Sequence, residues 1–225
     1  MSQETHSFDI VVVGGGCVGL AAAWKLNIRH PHLKIAVLEK EDKLSPHQTG
    51  HNSGVIHSGI YYKPGSEKAR NCVEGRREIV AFAKEHKIAH DICGKLIVAT
   101  HESELAHMNK VFANGKANGV EDIELITAAQ IKEIEPFVEG IGGIRVGCTG
   151  IIDFPGVTNK IGELLELQFP GSRIFLSTKA EDFIHKGETT DIITNRGIFT
   201  TKYIVTCAGL QSDRIAKKEG ADVDA

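Results

Sequence analysis

No apolar run in the sequence is long enough to cross a membrane. The longest uncharged stretch of mainly apolar character, Ile10–Trp24, has 15 residues and four of them are glycine, whereas a span needs about 20 apolar residues. An excess of charge is missing too: 26 Lys and Arg face 29 Asp and Glu, a formal net charge of −3. Without a basic excess or an acidic tail, neither nucleic acid nor a solvating arm is indicated. The five cysteines are odd in number and contain no CxxC, which excludes a disulfide framework and points to a reducing compartment. Cys17 and Cys207 lie in apolar stretches and read as small buried hydrophobes. The histidine pairs His47/His51 and His86/His90 have i,i+4 spacing but no HExxH around them, so no metal site is expected. The opening MSQETHS lacks both the basic and the apolar part of a signal peptide, and a cytoplasmic chain is the expectation.

What is present is globular in texture, 41% hydrophobic and 24% charged over 225 residues, enough for one large domain or two small ones. Phe8–Val13 reads as a strand whose last four residues, Ile10–Val13, form a β-branched run of the kind that sits centrally in a parallel sheet. A helix is predicted over Cys17–Ile28 and a second buried strand over Lys34–Glu39, together a βαβ unit. Leu44–Tyr62 is a Gly/Ser/His-rich loop. A long amphipathic helix starts near Pro64 and runs to about Glu85. In the middle, Lys95–Thr100 reads as a strand and Glu102–Asn118 as a helix. Thr127-Ala-Ala-Gln130 reads as a capping box opening a short helix. The glycine-rich Gly140–Gly150 suggests strands with tight turns. Val157–Leu167 reads as helix, followed by strands near Ala180–His185, Asp191–Thr194 and Phe199–Thr206 and a helix over Gln211–Glu219.

Gly14-Gly-Gly16-Cys-Val-Gly19 fits G-x-G-x-x-G between a strand and a helix, and Glu39 stands 20 residues past its last glycine. Strand, glycines, helix and distal acid together form the dinucleotide fingerprint. Gly14 makes the turn, Gly16 lets backbone approach a pyrophosphate, and Gly19 lets helix and strand pack closely. The diphosphate meets the positive end of the helix, and Glu39 accepts the ribose hydroxyls, its charge repelling a 2′-phosphate. The fingerprint alone does not choose between NAD and FAD. The long polar loop after Glu39, in place of a short turn, favours a second planar ring and hence FAD.

The stretch His47–Tyr62, followed by Pro64-Gly65 and Cys72, resembles the L-2-hydroxyglutarate dehydrogenase/oxidase family. That family is a branch of the FAD-dependent oxidoreductases of the D-amino-acid-oxidase type. Cys93-Gly-Lys-Leu-Ile-Val-Ala99 and Cys207-Ala-Gly-Leu-Gln-Ser-Asp-Arg214 match it as well. The resemblance runs from Phe8 to about Gly220. It implies an α/β chain: a Rossmann-like FAD-binding domain of the glutathione-reductase type with part of an inserted α+β substrate domain. The expected division is 8–90 and 151–220 for FAD binding and 91–150 for the substrate segment. Members run on by roughly one further domain, so an N-terminal portion is expected.

The resemblance also implies roles. Gly14, Gly16, Gly19 and Glu39 hold the ADP half of FAD. His51, Asn52, Ser53 and Gly54 lie along its pyrophosphate-to-isoalloxazine stretch. Ala180 falls where backbone groups grip adenine, and Ala208 and Gly209 where the chain passes under the FAD. Flavin N5 accepts the hydride, His57 is the first choice of base for the C2 hydroxyl, and Lys95 is a cation for a carboxylate. The alternatives are a backbone-bound loop histidine and a solvated strand-end lysine. Tyr61 and Tyr62 wall the pocket or simply pack. The implied reaction is oxidation of L-2-hydroxyglutarate to 2-oxoglutarate, with quinone or oxygen as acceptor and contact with the inner face of a membrane left open. Two other readings stay open: a sibling flavoenzyme for another 2-hydroxy acid, an amine or glycerol 3-phosphate, and a non-catalytic flavin-binding fragment.

Overall fold

In the computed structural model, which describes residues 4–220, the run ending at Val13 has strands on both sides, as its two-faced apolar character requires. In chain order the elements are β1 (Thr5–Val13), α1 (Cys17–Arg29), β2 (Ile35–Leu38), β3 (Val55–Ile56), α2 (Glu67–Glu85) and β4 (His90–Asp91). Next come β5 (Lys95–Ala99), α3 (Glu102–Ala117), β6 (Ile123–Thr127), α4 (Ala128–Ile134), β7 (Gly142–Val146) and β8 (Gly150–Ile152). The last are α5 (Phe154–Gln168), β9 (Arg173–Phe175), β10 (Ala180–Lys186), β11 (Thr189–Thr194), β12 (Gly197–Thr206) and α6 (Ser212–Lys218). Contacts divide the chain into two units: the part up to Asn52 joined with Phe154 onward, and Ser53–Asp153.

The first unit is a six-stranded sheet in the order β10-β11-β12-β1-β2-β9. Strands β12, β1, β2 and β9 run parallel, and β10-β11-β12 is an antiparallel meander. Val11, Val13, Ala36 and Leu38 pack with Phe183, Ile192, Phe199 and Ile215 of α6. Phe175 and Phe199 meet edge-on with centroids 4.8 Å apart, a favoured aromatic geometry. Helices α1 and α5 lie against each other, with Leu20 and Leu165 fully buried.

The second unit holds two three-stranded sheets, β3-β8-β4 and β5-β7-β6. Helix α3 lies on the latter, where Val111, Val120, Ile123, Ile144 and Val146 form the core with Ile60 and Val73. Among the described residues no helix is long and apolar enough to cross a membrane.

The structure departs from the expected elements in local ways. Helix α2 starts at Glu67 and not at Pro64, because the Ser66 hydroxyl caps it by accepting the Ala69 N–H at 3.3 Å. Helix α5 starts at Phe154, three residues early, with Pro155 in the first turn where its missing N–H costs nothing. Strands β3, β4 and β9 span two or three residues, too few to show any alternation. The capping box at Thr127 and Gln130 forms as its spacing predicts.

Asn27 and Ser172 join α1 to the sheet without any solvent exposure to speak of. Asn27 Nδ2 donates to Leu33 O at 2.8 Å, its Oδ1 accepts from the Ser172 hydroxyl at 2.8 Å, and that hydroxyl accepts the Ile35 N–H at 2.9 Å. Asn27→Leu strands the Leu33 carbonyl and the Ser172 proton. We expect a loss of about 1–3 kcal/mol, measured as a lower urea midpoint at unchanged slope.

Candidate functional site

The glycine turn in the first unit is built from contacts that exclude any side chain. A Cβ on Gly14, whose φ is +121°, would stand 2.3 Å from Cys207 O. One on Gly19 would stand 2.0 Å from Gly14 O, so α1 rests directly on the turn. Gly16 differs, since a Cβ there would meet only Thr49 Oγ1, at 3.2 Å. Gly14, Gly16, Gly19 and the Cys207–Ala208 backbone are thus brought together at the ends of β1 and β12.

Glu39 joins them. It is 6% exposed, and its Oε2 accepts the Gly15 N–H at 2.8 Å while Oε1 accepts the Glu41 N–H at 3.0 Å. The carboxylate therefore holds the middle of the glycine turn against the end of β2. Its backbone is fixed too, with Thr178 N–H donating to Glu39 O at 2.8 Å and Ser177 N–H to Glu41 O at 2.7 Å. The neighbouring Glu41 carboxyl sits below the usual range, first through its hydrogen bond from His47 and then through Lys40.

Helix α1 begins with no cap from Gly16 and no acid in its first turn. Thr49 substitutes for a cap across 32 residues, its hydroxyl accepting the Cys17 N–H at 3.1 Å. Val18 stays 72% exposed beside the turn. Burial, opposed by a Thr158 hydrogen bond, pushes the Cys17 thiol up, consistent with its reading as a small hydrophobe. A side-chain-free cradle, an uncovered helix start and an acid at the end of the second strand suit the diphosphate and ribose of FAD.

The other expected cofactor residues distribute as follows. His51 and Asn52 close the first unit's loop on itself: His51 Nδ1 donates to His47 O at 3.1 Å, and Asn52 Nδ2 donates to Thr49 O at 2.7 Å. Ser53 and Gly54 open the second unit, where Gly54 O accepts the Ile152 N–H at 2.9 Å. Ala180 starts the edge strand β10 opposite Thr194, and Gly209 opens a short 3-10 turn with a φ of +56°.

Both residues expected to act on substrate lie in the second unit. The exposed His57 accepts the Cys72 thiol proton on its carbonyl, Sγ to O 3.4 Å, and its ring makes no hydrogen bond among the described residues. Lys95 is not a solvated strand end. It is half-buried, its Nζ stands 4.7 Å over the Tyr61 ring, and burial holds its pKa below the usual lysine value. Asn118 fixes the intervening loop by donating to Gly59 O at 3.1 Å and Tyr62 O at 2.9 Å. Thr49 and Asn118 are the residues that sequence alone does not disclose. Asn118 stands at the end of a predicted helix, but nothing local in sequence pairs Thr49 with Cys17.

Glu39→Gln replaces one carboxylate oxygen by an amide that cannot accept an N–H. FAD affinity is expected to drop about tenfold or more through the charge-assisted bonds lost, measured as flavin released on dialysis at unchanged circular dichroism.

Comparison with known proteins agrees with this geometry. The family model described as FAD dependent oxidoreductase (DAO) matches residues 9–224. The chain is 42% identical over 219 residues to L-2-hydroxyglutarate dehydrogenase of Indibacter alkaliphilus, covering 96% of this chain and 54% of that one. It is 42% identical over 233 residues to the human mitochondrial enzyme of that name, covering 99% of this chain and 50% of the other. The chain therefore spans about half the length of the curated relatives it matches. Among solved structures, L-α-glycerophosphate oxidase of Mycoplasma pneumoniae with FAD bound superposes with a TM-score of 0.84 at 25% identity, covering 96% of this chain and 58% of that one. Glycine oxidase of Geobacillus kaustophilus, at 20% identity and a TM-score of 0.83 over 96% of this chain and 59% of that one, shares the fold. From its glycine cradle to its last helix, the chain belongs to the family of FAD-dependent oxidoreductases, and FAD is its cofactor.

Proposed function

We propose that the protein serves the oxidation of L-2-hydroxyglutarate to 2-oxoglutarate. The observation that carries this reading is the 42% identity to L-2-hydroxyglutarate dehydrogenases over nearly the whole chain. FAD supplies the hydride acceptor when bound. Gly14, Gly16 and Gly19 would cradle its diphosphate and Glu39 would orient its ribose, with backbone at Ala180, Ala208 and Gly209 and the His51–Gly54 segment completing the grip.

In this reading His57 takes the proton of the C2 hydroxyl on its exposed imidazole, the side-chain base suited to work near neutral pH. Lys95 offers an ammonium to a substrate carboxylate. Division of the chain into an FAD-binding part (8–90 and 151–220) and a substrate part (91–150) belongs to the same proposal. So do a quinone or oxygen as acceptor and a cytoplasmic location that reaches the inner face of a membrane when a quinone serves.

A second reading is a flavin-binding protein without turnover of its own. The test is anaerobic addition of substrate to the flavin-loaded protein. L-2-hydroxyglutarate, and not its D enantiomer, should bleach the visible flavin absorbance. Bleaching by glycine or glycerol 3-phosphate in its place would move the protein to a sibling activity, and bleaching by none of them would favour the second reading.

A further inference from the structure

Two surfaces of opposite charge each carry apolar side chains that the chain leaves uncovered. The first is the turn after α4, in the second unit. Phe137 is 97% exposed there, and Ile134 and Ile141 are each about half exposed. Single apolar residues on a surface are ordinary, but an aromatic grouped with two isoleucines marks a contact surface. The turn is also held in place. Val138 N–H donates to Glu135 O at 3.0 Å, Ile141 N–H to Ala99 O at 2.9 Å, and Lys132 Nζ to Pro136 O at 3.3 Å.

This turn is acidic. The stretch Ile131–Ile141 holds Glu133, Glu135 and Glu139 against Lys132 alone, and Lys132 is paired with Glu139. Glu133 and Glu135 are exposed and have no ion pair among the described residues. Lys95 and Arg145 line the same recess as Glu135 but do not reverse the sign. Arg145 is matched by both Asp122 and Glu124, which leaves Lys95 as one added cation.

The second surface is the end of α1 and the loop after it, in the first unit. Trp24–Lys34 contains Lys25, Arg29, Lys34 and two histidines but no acid. Arg173, opposite Ala36 across β2 and β9, adds a fourth cation. The acids at hand are Asp9, which accepts the Lys34 N–H at 2.8 Å, and Glu166, which accepts the Ile174 N–H at 3.0 Å. Four cations against two carboxylates leave this surface basic. Its apolar part is Ile28, about half exposed, and Leu167, 78% exposed. Trp24 stands between them in the chain's packing: it is one turn before Ile28, and its Nε1 donates at 3.0 Å to Gln168, the neighbour of Leu167.

The surfaces match in kind, each an apolar group rimmed by charge of one sign, and the rims are opposite. Opposite rims steer two faces together and set which face meets which. We infer that the protein associates with a second copy of itself, the Phe137 turn of one copy seating on the Trp24–Leu167 face of the next. Because the two surfaces differ, the contact is heterologous and joins copies head to tail. It makes no use of cofactor or substrate, so it stands or falls apart from the reaction.

Sedimentation velocity of the flavin-loaded protein is the measurement. Association should grow with protein concentration at low ionic strength and weaken as salt screens the rims. Phe137→Ser in the turn should weaken it about tenfold or more, as should Arg29→Glu with Lys34→Glu on the basic face. All three positions are exposed, so flavin content and circular dichroism should stay unchanged. The decisive step mixes the two variants. Each keeps the surface that the other has lost, so together they should form a dimer that does not grow, while each alone stays monomeric. A wild type that is monomeric at every concentration, association untouched by either set of substitutions, or a mixture as monomeric as its components would each overturn the inference. Association that strengthens with salt would overturn it too, as the mark of unspecific apolar contact. If the basic face instead binds phosphatidylglycerol vesicles and the protein is monomeric without them, that face meets a lipid surface and the self-contact fails.

Discussion

The fold of the first unit depends on how closely three backbone segments approach one another at the ends of β1, β2 and β12. Gly14 touches Cys207 O, Gly19 touches Gly14 O, and the buried Glu39 carboxylate takes the Gly15 N–H. No side chain larger than hydrogen fits at Gly14 or Gly19 without moving backbone. In the proposed reading the same constraint also brings the start of α1 within reach of a diphosphate, so that packing and cofactor binding would draw on the same atoms. Glu39 then has a dual position: it organises the protein's own turn while its carbonyl anchors the loop at Thr178.

Much of this was legible in the sequence, because each feature has a local signature. Continuous β-branched residues mark the central strands, glycine spacing marks the turn, and a terminal acid marks β2. The capping box at Thr127 and the long stripe of α2 are likewise local patterns. What the sequence hid was tertiary. Strands of two or three residues have no period to detect, and Thr49 reaches the start of α1 only once the loop has folded. The environment of Lys95 was hidden for the same reason. A lysine at a strand start reads as solvated until Tyr61, Cys72 and Cys148 arrive from three other segments and remove its water.

The two candidate substrate residues, His57 and Lys95, are linked through neighbours that carry no chemistry in the proposed reaction. Cys72 touches the His57 backbone, and Asn118 anchors the loop that presents Tyr61. Such supporting contacts decide whether a site is held to the tolerance that catalysis demands. Asn118 spends both amide hydrogens on two carbonyls of one loop, which fixes that loop at two points with a single side chain.

Strand β12 has a consequence for how the molecule is made. It is the junction of the sheet, parallel to β1 on one side and antiparallel to β11 on the other. Its partners on the parallel side, Thr5 to Val13, lie far earlier in the chain than β12 itself. Strand β1 therefore leaves the ribosome well before β12, and the edge that β12 covers stays unpaired until that strand has followed. Ser53–Asp153, whose sheets pair only within themselves, is under no such delay. High sequence separation slows the closure of the central sheet and lengthens the interval in which β1 is open to aggregation.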